Sequence, residues 1–299
     1  MDRFHLMNVY IAVAEEQGFA RAARRLGMSP PAVTRAIASL EQRLGVKLLN
    51  RTTRYVRTTE AGQRYLEDAR RVLAEVDAVD QAVSGINAEP RGHLAITAPV
   101  MFGRMFVMPG IVDYLERFPA TEISALFLDR DVNLLAEGID LGVRIGELAD
   151  SSMRALKVGS VRQVVCASPT YLRRHGRPQR PDDLAGHSLI HSSAVSDVHN
   201  WQFNTTQGMR SQRIRPRLVV TSNAAAVTAA QADFGITRLL SYQVAPQLAD
   251  GDLQIILAEY EPAARPIHIV HREGRFASAT VRSFIDFIAA RLRADSLLN

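Results

Sequence analysis

The sequence has 299 residues but only one cysteine, one tryptophan and no long apolar run. A single cysteine, Cys166, rules out an intramolecular disulfide, and its apolar neighbours Val164, Val165 and Ala167 predict a buried thiol. No stretch approaches the roughly 18 to 20 apolar residues that a membrane-spanning helix needs. The first residues show neither the apolar segment nor the cleavage site of a signal peptide, so we expect a cytoplasmic protein.

Motifs that assemble catalytic or cofactor groups are also missing. Neither Gly-x-Gly-x-x-Gly nor Gly-x-x-x-x-Gly-Lys opens a predicted helix. Histidines occur in two regions, with His187, His191 and His199 in one and His268 and His271 in the other, but no cysteine or acidic ligand set accompanies them. We therefore expect no catalytic residues, no metal site and no cofactor.

Positive charge is concentrated near the start of the chain. Residues 21–64 contain ten arginine or lysine residues and two acids, a net charge of +8 in a chain whose total is +5. Such a concentration is typical of a module that neutralises DNA phosphates. Charge alone leaves a second interpretation open, namely a basic face that is merely solvated.

The first 45 residues have the pattern of a helix-turn-helix. Helical spacing of apolar residues predicts a first helix, which Gly18 separates from a short second helix at about 19–26. Gly27 should supply a positive φ in the turn, and Ser29 with Pro30 should begin a third helix. The apolar stripe of this helix consists of Val33, Ile37, Leu40 and Leu44. Spacing alone also permits a structural three-helix bundle with arginines on its rim.

Two short strand-like runs, 46–49 and 55–58, follow the third helix and predict a basic β-wing. The loop between them contains Arg51 and Arg54. Guanidinium groups in such a loop can pair with DNA phosphates or enter the minor groove.

The same residues resemble the DNA-binding domain of LysR-type transcriptional regulators. The resemblance rests on the runs FARAARRL at 19–26, SPPAVT at 29–34 and TEAG at 59–62, together with Leu40-Glu41 and Leu44-Gly45. Family members often have Gln where Pro31 stands and Ser where Thr34 stands. We expect DNA contacts from Arg21, Ser29, Pro30, Pro31, Thr34, Arg35, Arg51 and Arg54.

A long linker helix should follow the wing, with Thr59 as its N-cap and no proline before Pro90. Apolar residues spaced alternately four and three apart form a seam flanked by charged residues, which predicts pairing of two chains. A helix that packs on its own domain is the alternative, and the LysR resemblance favours the dimer. The seam consists of Tyr65, Ala69, Val72, Val76, Val79, Val83 and Ile86.

From His93 onward, strands alternate with helical segments, which predicts α/β units around a largely parallel sheet. Two sets of such units, joined by crossings near Ser160 and Ala264, resemble the two-lobed type 2 periplasmic-binding-protein fold that LysR regulators use for effectors. The predicted fold is thus an α+β winged helix-turn-helix, a long linker helix and a two-lobed α/β domain. The boundaries are 1–58 for DNA binding, 59–89 for the linker and 90–299 for the effector domain, with lobe 1 at about 92–160 and 265–299 and lobe 2 at about 161–264.

Pockets in open α/β folds form outside the carboxyl ends of strands. Ser222 and Asn223 open a predicted helix whose free amides could hold a carboxylate, so an anionic effector is among the expected ligands. Both residues could equally be plain N-caps. The predicted effector-binding residues are Ala98, Pro99, Phe102, Phe127, Arg144, Ser222, Asn223 and Thr237.

The resemblance implies a sequence-specific DNA-binding transcriptional regulator that is controlled by a small effector bound between two lobes. It also implies an imperfect palindromic operator in double-stranded DNA, a homodimer that assembles to a homotetramer, and contact with RNA polymerase. A cytoplasmic solute-binding or sensing protein that does not bind DNA is the alternative function.

Overall fold

The computed structural model describes residues 2–51, 56–84, 89–148, 153–193, 200–272 and 279–299. The chain divides into two compact units, one formed by residues 1–93 with 274–280 and the other by residues 94–273 with 281–299. Within the described residues, no helix has the length and apolar character needed to cross a membrane.

The first unit contains the predicted helix-turn-helix. Gly27 has a φ of +63° in the turn, Ser29 is the N-cap of the third helix, and Pro30 is its first residue, as the sequence predicts. Ser29 makes no capping hydrogen bond with its side chain. The elements are α1 (Arg3–Glu16), α2 (Phe19–Arg25), α3 (Pro30–Leu44), β1 (Leu49–Arg51), β2 (Val56–Thr58) and α4 (Glu60–Ser84).

The apolar stripe of α3 packs against α1 to form the core of this unit. Val33, Ile37 and Leu40 are buried together with Val9 and Tyr10. Leu44, the fourth residue of the predicted stripe, is 42% exposed in the last turn of α3, so the buried stripe ends at Leu40.

The wing begins later than the sequence predicts. The predicted run 46–49 becomes the strand Leu49–Arg51, which pairs antiparallel with β2 from Leu49 opposite Thr58 to Arg51 opposite Val56. The backbone amides of Leu48 and Leu49 donate to the Glu41 carboxylate at 2.9 and 3.2 Å. Because the Glu41 side chain on α3 accepts these two hydrogen bonds, the segment that leads into β1 is bonded to the helix and not to another strand.

The start of α4 is fastened to the same segment. Thr59 caps the helix, since its Oγ1 accepts from the Gly62 amide at 2.9 Å and donates to the Lys47 carbonyl at 2.8 Å. The Tyr10 hydroxyl donates to the Gly62 carbonyl at 2.9 Å. A Cβ at Gly62 would lie 2.0 Å from the Leu48 carbonyl oxygen, so only glycine permits this close approach.

The second unit contains two sheets. The strands and helices of lobe 1 are β3 (Gly92–Ala98), α5 (Val100–Phe102), a π-helical segment (Gly103–Val107), α6 (Met108–Arg117), β4 (Thr121–Phe127), β5 (Leu141–Ile145) and β6 (Met153–Val161). Those of lobe 2 are β7 (Gln163–Ala167), α7 (Pro169–His175), β8 (Leu189–Ser192), β9 (Asn200–Thr205), β10 (Gly208–Arg213), β11 (Leu218–Val220), α8 (Asn223–Gln231), β12 (Ile236–Leu240), α9 (Ala245–Ala249) and β13 (Gln254–Ile256). The chain then returns to lobe 1 through β14 (Arg265–Arg272) and α10 (Ala279–Ala294).

Both sheets are mixed rather than largely parallel, which corrects the expectation from the sequence. Lobe 1 has the order β4-β3-β5-β14-β6 and lobe 2 the order β11-β8-β12-β7-β13. In lobe 1, β3 is parallel to β5, but β14 is antiparallel to both of its neighbours. In lobe 2, β7 is antiparallel to β12 and β13. β7 and β14 each enter their sheet directly from a crossing, without the helix that a parallel connection requires.

The lobe 2 sheet has a separate core on each face. Alternation along β12 assigns Ile236 to the core that contains Trp201 and Tyr171, and Leu239 to the core that contains α8. Cys166 belongs to the α8 side and is fully buried, as predicted, and burial raises the pKa of its thiol to about 12.

Replacing Gly62 with alanine should lower the free energy of unfolding of the first unit by about 1 to 3 kcal/mol, since the new Cβ would clash with backbone. Denaturant unfolding followed by circular dichroism measures the loss. Gly186→Ala is the control, because a Cβ there has no atom within 4 Å and it should leave stability unchanged. Equal stability of Gly62→Ala and the natural protein would contradict the close approach.

Candidate DNA-binding and effector sites

The first two turns of α3 present an exposed polar surface. Ser29, Pro30, Pro31, Thr34 and Arg35 are all exposed. The Thr34 hydroxyl donates to the Pro30 carbonyl at 3.0 Å, which leaves its lone pairs free to accept. Among the described residues, no hydrogen bond or ion pair holds the Arg35 guanidinium. This surface, the α3 face, therefore offers unoccupied donors and acceptors on a rigid helix.

Two arginines of α2, Arg21 and Arg25, make contacts within the first unit. Arg21 is exposed, and its Nε donates to the Glu16 carbonyl at 2.7 Å. The Glu15 carboxylate binds Arg25 of α2 at 2.6 Å and also Arg70 of α4. Burial alone would raise the pKa of Glu15, but the hydrogen bonds from Arg70 and Arg25 outweigh it and lower that pKa. Glu15 thus joins α1, α2 and α4, and Arg25 is a structural residue.

The wing continues the basic surface beyond α3. The backbone of Arg51 ends β1, whereas its side chain and all of Arg54 lie outside the described residues. Arg57 of β2 is exposed opposite Asn50. Arg57 is one of the ten basic residues of 21–64, but the sequence alone predicts no role for it, because its orientation follows only from the strand register.

Glu41 is a residue of this site that sequence reasoning missed. Its side chain is 4% exposed and accepts from Lys47 Nζ at 2.9 Å and from the amides of Leu48 and Leu49. Burial alone would raise the pKa of Glu41, but these hydrogen bonds outweigh it and lower the pKa, so the carboxylate stays ionised. The available signal was an acid on the apolar face of α3, directly after Leu40.

Part of the predicted seam of α4 packs within the first unit itself. Ala69 is fully buried, and the Tyr65 ring packs edge-on against Tyr10 with centroids 5.4 Å apart. Val72 and Val76 are half-buried. The side chains of Val79 and Val83 and the whole of Ile86 lie outside the described residues. Pairing of two chains through this seam stays a prediction.

On the lobe 1 side, Ala98 and Phe102 belong to the core. The Phe102 ring contacts Phe106 at 4.9 Å and Tyr242 of lobe 2 at 5.4 Å between centroids. Pro99 and Phe127 are half-buried. In this conformation Ala98 and Phe102 are therefore enclosed, and Tyr242 fills the space beside them.

Two polar groups of lobe 1, the Val100 amide and the Arg144 guanidinium, already have partners within the lobe. The Asp129 carboxylate accepts from the Val100 amide at 3.0 Å, at the N-terminus of the helical run that starts with α5. Arg144 lies 3.6 Å from the Asp131 carboxylate and also donates to the Val132 carbonyl, so it braces the loop after β4. An anion at this helix start would meet the negative charge of Asp129.

Lobe 2 contains buried polar atoms without partners. Asn223 and Thr237 are 2% and 0% exposed, and neither Asn223 Oδ1 nor Thr237 Oγ1 has a hydrogen-bond partner among the described residues. The same holds for Ser192 Oγ at the end of β8. The register of β8 and β12 places Ser192 and Thr237 on the face of the sheet that packs against α8. Ser222 is an N-cap, since its Oγ accepts from the Ala225 amide at 3.4 Å.

Two of the histidines noted in the sequence, His191 and His187, lie beside aromatic side chains, and His199 lies outside the described residues. The indole Nε1 of Trp201 lies 3.4 Å from His191 Nδ1, and the Tyr171 hydroxyl lies 3.2 Å from His187 Nδ1. In the described part of the chain, no three His, Cys, Asp or Glu side chains are placed to hold a metal ion.

Two family models match the chain. Residues 4–63 match the bacterial regulatory helix-turn-helix protein model of the lysR family, and residues 87–293 match the LysR substrate binding domain. The first match contains the α3 face and the wing, and the second contains both sheets of the second unit.

Individual relatives agree with these matches. An uncharacterised HTH-type transcriptional regulator of Haemophilus influenzae is 32% identical over 92% of this chain and 96% of its own length. The solved structure of CrgA, a LysR-type transcriptional regulator from Neisseria meningitidis, is 31% identical, with a TM-score of 0.63 over 96% of this chain and 98% of that chain. The full-length virulence activator AphB of Vibrio cholerae is 25% identical, with a TM-score of 0.60 over 97% and 99% of the two chains.

Replacing Glu41 with glutamine should lower the free energy of unfolding of the first unit by about 1 to 3 kcal/mol, because buried amides lose a charged acceptor. The lowered pKa of Glu41 means that the ionised form stabilises the fold above the ordinary value of 4.5, and that this contribution is lost as the pH falls through the folded pKa. The difference between the two proteins should therefore shrink in acid.

Denaturant unfolding at several pH values measures this difference. Lys47→Gln is the control, since the 78%-exposed Lys47 side chain can be removed while both amides keep their acceptor. A difference that stays constant from neutral pH into strong acid would contradict the role of the Glu41 charge.

Proposed function

Because the chain belongs to the LysR family of transcriptional regulators, we propose that it reads an imperfect palindromic operator with the α3 face and holds the flanking backbone with the wing. Ser29, Pro30, Pro31, Thr34 and Arg35 read or frame the bases in the major groove. Arg21, Arg51 and Arg54 add affinity for phosphates, which carries little sequence information.

One observation carries this proposal. The α3 face is exposed and its Arg35 has no partner among the described residues, while buried Glu41 bonds the same helix to the start of the wing. Helix α3 and the base of the wing are therefore joined before DNA is bound, so fixing this junction adds little entropic cost to binding.

A dimer presents one α3 face to each of the two half-sites of a palindromic operator. We infer that α4 pairs two chains through the part of its seam that begins at Val72, because Tyr65 and Ala69 are occupied within the unit. Contacts between effector domains then join two dimers into a tetramer, and RNA polymerase is a further partner. A cytoplasmic location, beside bacterial DNA, stays a prediction.

The effector binds between the lobes, with its polar group at the start of α8. Asn223 Oδ1, Thr237 Oγ1 and Ser192 Oγ are buried polar atoms that a ligand would satisfy. Its apolar part lies beside Pro99 and Phe127, and room for it requires movement of Tyr242 away from Phe102. Such a movement changes the angle between the lobes, and the effector acts through its different affinities for the two arrangements. Asp129 disfavours an anionic group at the lobe 1 side.

The alternative of a solute-sensing protein that does not bind DNA has less support, since the helix-turn-helix family model covers residues 4–63. Members of the family are transcriptional regulators and not enzymes. Gel-shift binding to the DNA upstream of the protein's own gene, at several salt concentrations, tests the proposal. Protection of a two-part site, with affinity that falls steeply with salt, is expected. Absence of binding even at low salt would favour the alternative.

Replacing Arg35 with alanine should change operator preference as well as affinity. Loss of a base contact costs about 1 to 3 kcal/mol on the preferred base and less on its substitutes, so the variant should discriminate poorly at one position. Arg51→Ala should instead weaken binding about equally on all sequences. Gel shifts with a panel of operators substituted at single positions measure both. Arg174→Ala, an exposed arginine of the second unit, is the control. A uniform loss for Arg35→Ala would exclude base reading.

Replacing Thr237 with valine should raise the free energy of unfolding of the ligand-free second unit by about 1 kcal/mol, because it removes a buried hydroxyl without a partner. The same variant should bind any effector found in a ligand screen about ten-fold more weakly. Thermal unfolding and titration calorimetry measure the two effects. Thr228→Val, at an exposed position of α8, is the matched control. A destabilised Thr237→Val protein would mean that the hydroxyl already has a partner.

A further inference from the structure

A cavity lies between the hairpin formed by β9 and β10 and the start of β14. Its volume is about 350 Å³. Two arginines and several neutral polar side chains line it. The polar lining comprises Gln163, Asn200, Gln202, Ser211, Arg238 and Arg265.

This cavity is separate from the proposed effector site. Arg238 directly follows Thr237 on β12, and successive side chains of a strand point to opposite faces of the sheet. Thr237 lies on the α8 face, whereas the Arg238 guanidinium lies over the Trp201 ring of β9, 5.2 Å from its centroid. The lobe 2 sheet therefore stands between the two places.

Arg238 is held in position at the cavity. Its Nη1 donates to the Gln202 carbonyl at 3.2 Å, and the Trp201 ring supports its guanidinium. Burial and, second, the charge of Arg265 lower the pKa of Arg238 to about 9, so the group remains charged at neutral pH. A fixed guanidinium with free N–H groups is suited to bind an oxyanion in two hydrogen bonds.

Among the described residues, no carboxylate forms an ion pair with Arg238 or Arg265, the two arginines of the cavity. Glu261, next to the lining residue Pro262, forms an ion pair with Arg162. The Arg162 Nη1 atom lies 3.2 and 3.1 Å from the two carboxylate oxygens of Glu261. Two nearby guanidinium groups repel each other in a partly buried place, and a bound anion would reverse that unfavourable interaction.

We propose that this cavity binds a small molecule with an oxyanion group, either a carboxylate or a phosphate, between Arg238 and Arg265. Gln163, Asn200, Gln202 and Ser211 supply neutral hydrogen-bonding groups for the rest of the ligand. The site is a second ligand site of the effector domain, on the face of the sheet opposite α8.

The position of the cavity gives the ligand a means to act on lobe movement. Gln163 is the first residue of β7, directly after the crossing from lobe 1, whereas Pro262 and Ala263 lie in the crossing back and Arg265 is the first residue of β14. Crossing segments absorb the rotation when two lobes change their angle. A ligand that binds both Arg238 of the lobe 2 sheet and Arg265 at the start of β14 in lobe 1 therefore favours one lobe arrangement.

Titration calorimetry of the full-length protein without DNA tests the proposal, with inorganic phosphate in one arm and succinate in the other. Chloride keeps the ionic strength constant, so that a general salt effect is cancelled. We expect saturable binding of at least one probe, weakened about ten-fold or more in Arg238→Gln and in Arg265→Gln. The arm that responds identifies the oxyanion chemistry.

Arg215→Gln is the control, because it removes the same charge from an exposed position near the hairpin, outside the lining residues, and should bind the probe like the natural protein. Circular dichroism of each variant checks that its fold is kept, and Arg265→Gln covers the case that Arg238→Gln does not fold. Equal affinity in both cavity variants, an equal loss in Arg215→Gln, or no binding of either probe in the millimolar range would overturn the proposal. None of these results depends on DNA binding, so they are distinguishable from failure of the regulator function.

Discussion

The geometry of the DNA-binding unit depends on one buried carboxylate, that of Glu41. It lies on α3 and accepts hydrogen bonds from the amides of Leu48 and Leu49. These bonds hold the segment that leads from α3 into the wing. The Leu48 carbonyl then accepts from the Thr59 amide, and Gly62 lies close against it. A short peptide segment thereby connects α3, the wing and α4 through bonds that water cannot easily replace.

The effector unit has the opposite character, since some of its buried polar atoms have no partner in the described chain. Asn223 and Thr237 are nearly inaccessible and yet unsatisfied on the α8 side of the lobe 2 sheet. On the other side, Arg238 and Arg265 place two positive charges at one cavity. Unsatisfied polar groups and uncompensated charge both cost stability, and both are relieved by a ligand. Among the described residues, the polar groups at the junction of α3, wing and α4 are thus paired, whereas those of the effector unit leave groups that a bound small molecule would satisfy.

Local sequence patterns predicted the elements of the first unit well. The helix boundaries, the positive φ of Gly27 and the start of α3 at Pro30 follow from residue types that have a strong backbone preference. The predicted start of the wing was wrong by three residues, because the hydrogen bonds that backbone amides donate to Glu41 leave no periodic pattern in the sequence. The largely parallel sheets predicted for the second unit are mixed instead, since strand direction depends on how the chain crosses between the lobes.

The sequence by itself determined the family, the division into a basic helical part and an α/β part, and the exposed residues of the α3 face, because these depend on residue type and spacing along one chain. Only the tertiary structure decided which groups are free to bind. Phe102 and Ala98, predicted at the cleft, pack in the lobe 1 core beside Tyr242, a residue 140 positions after Phe102. Arg238 and Arg265 come to one cavity from different strands. Burial and pairing depend on contacts between distant segments, which composition and periodicity do not encode.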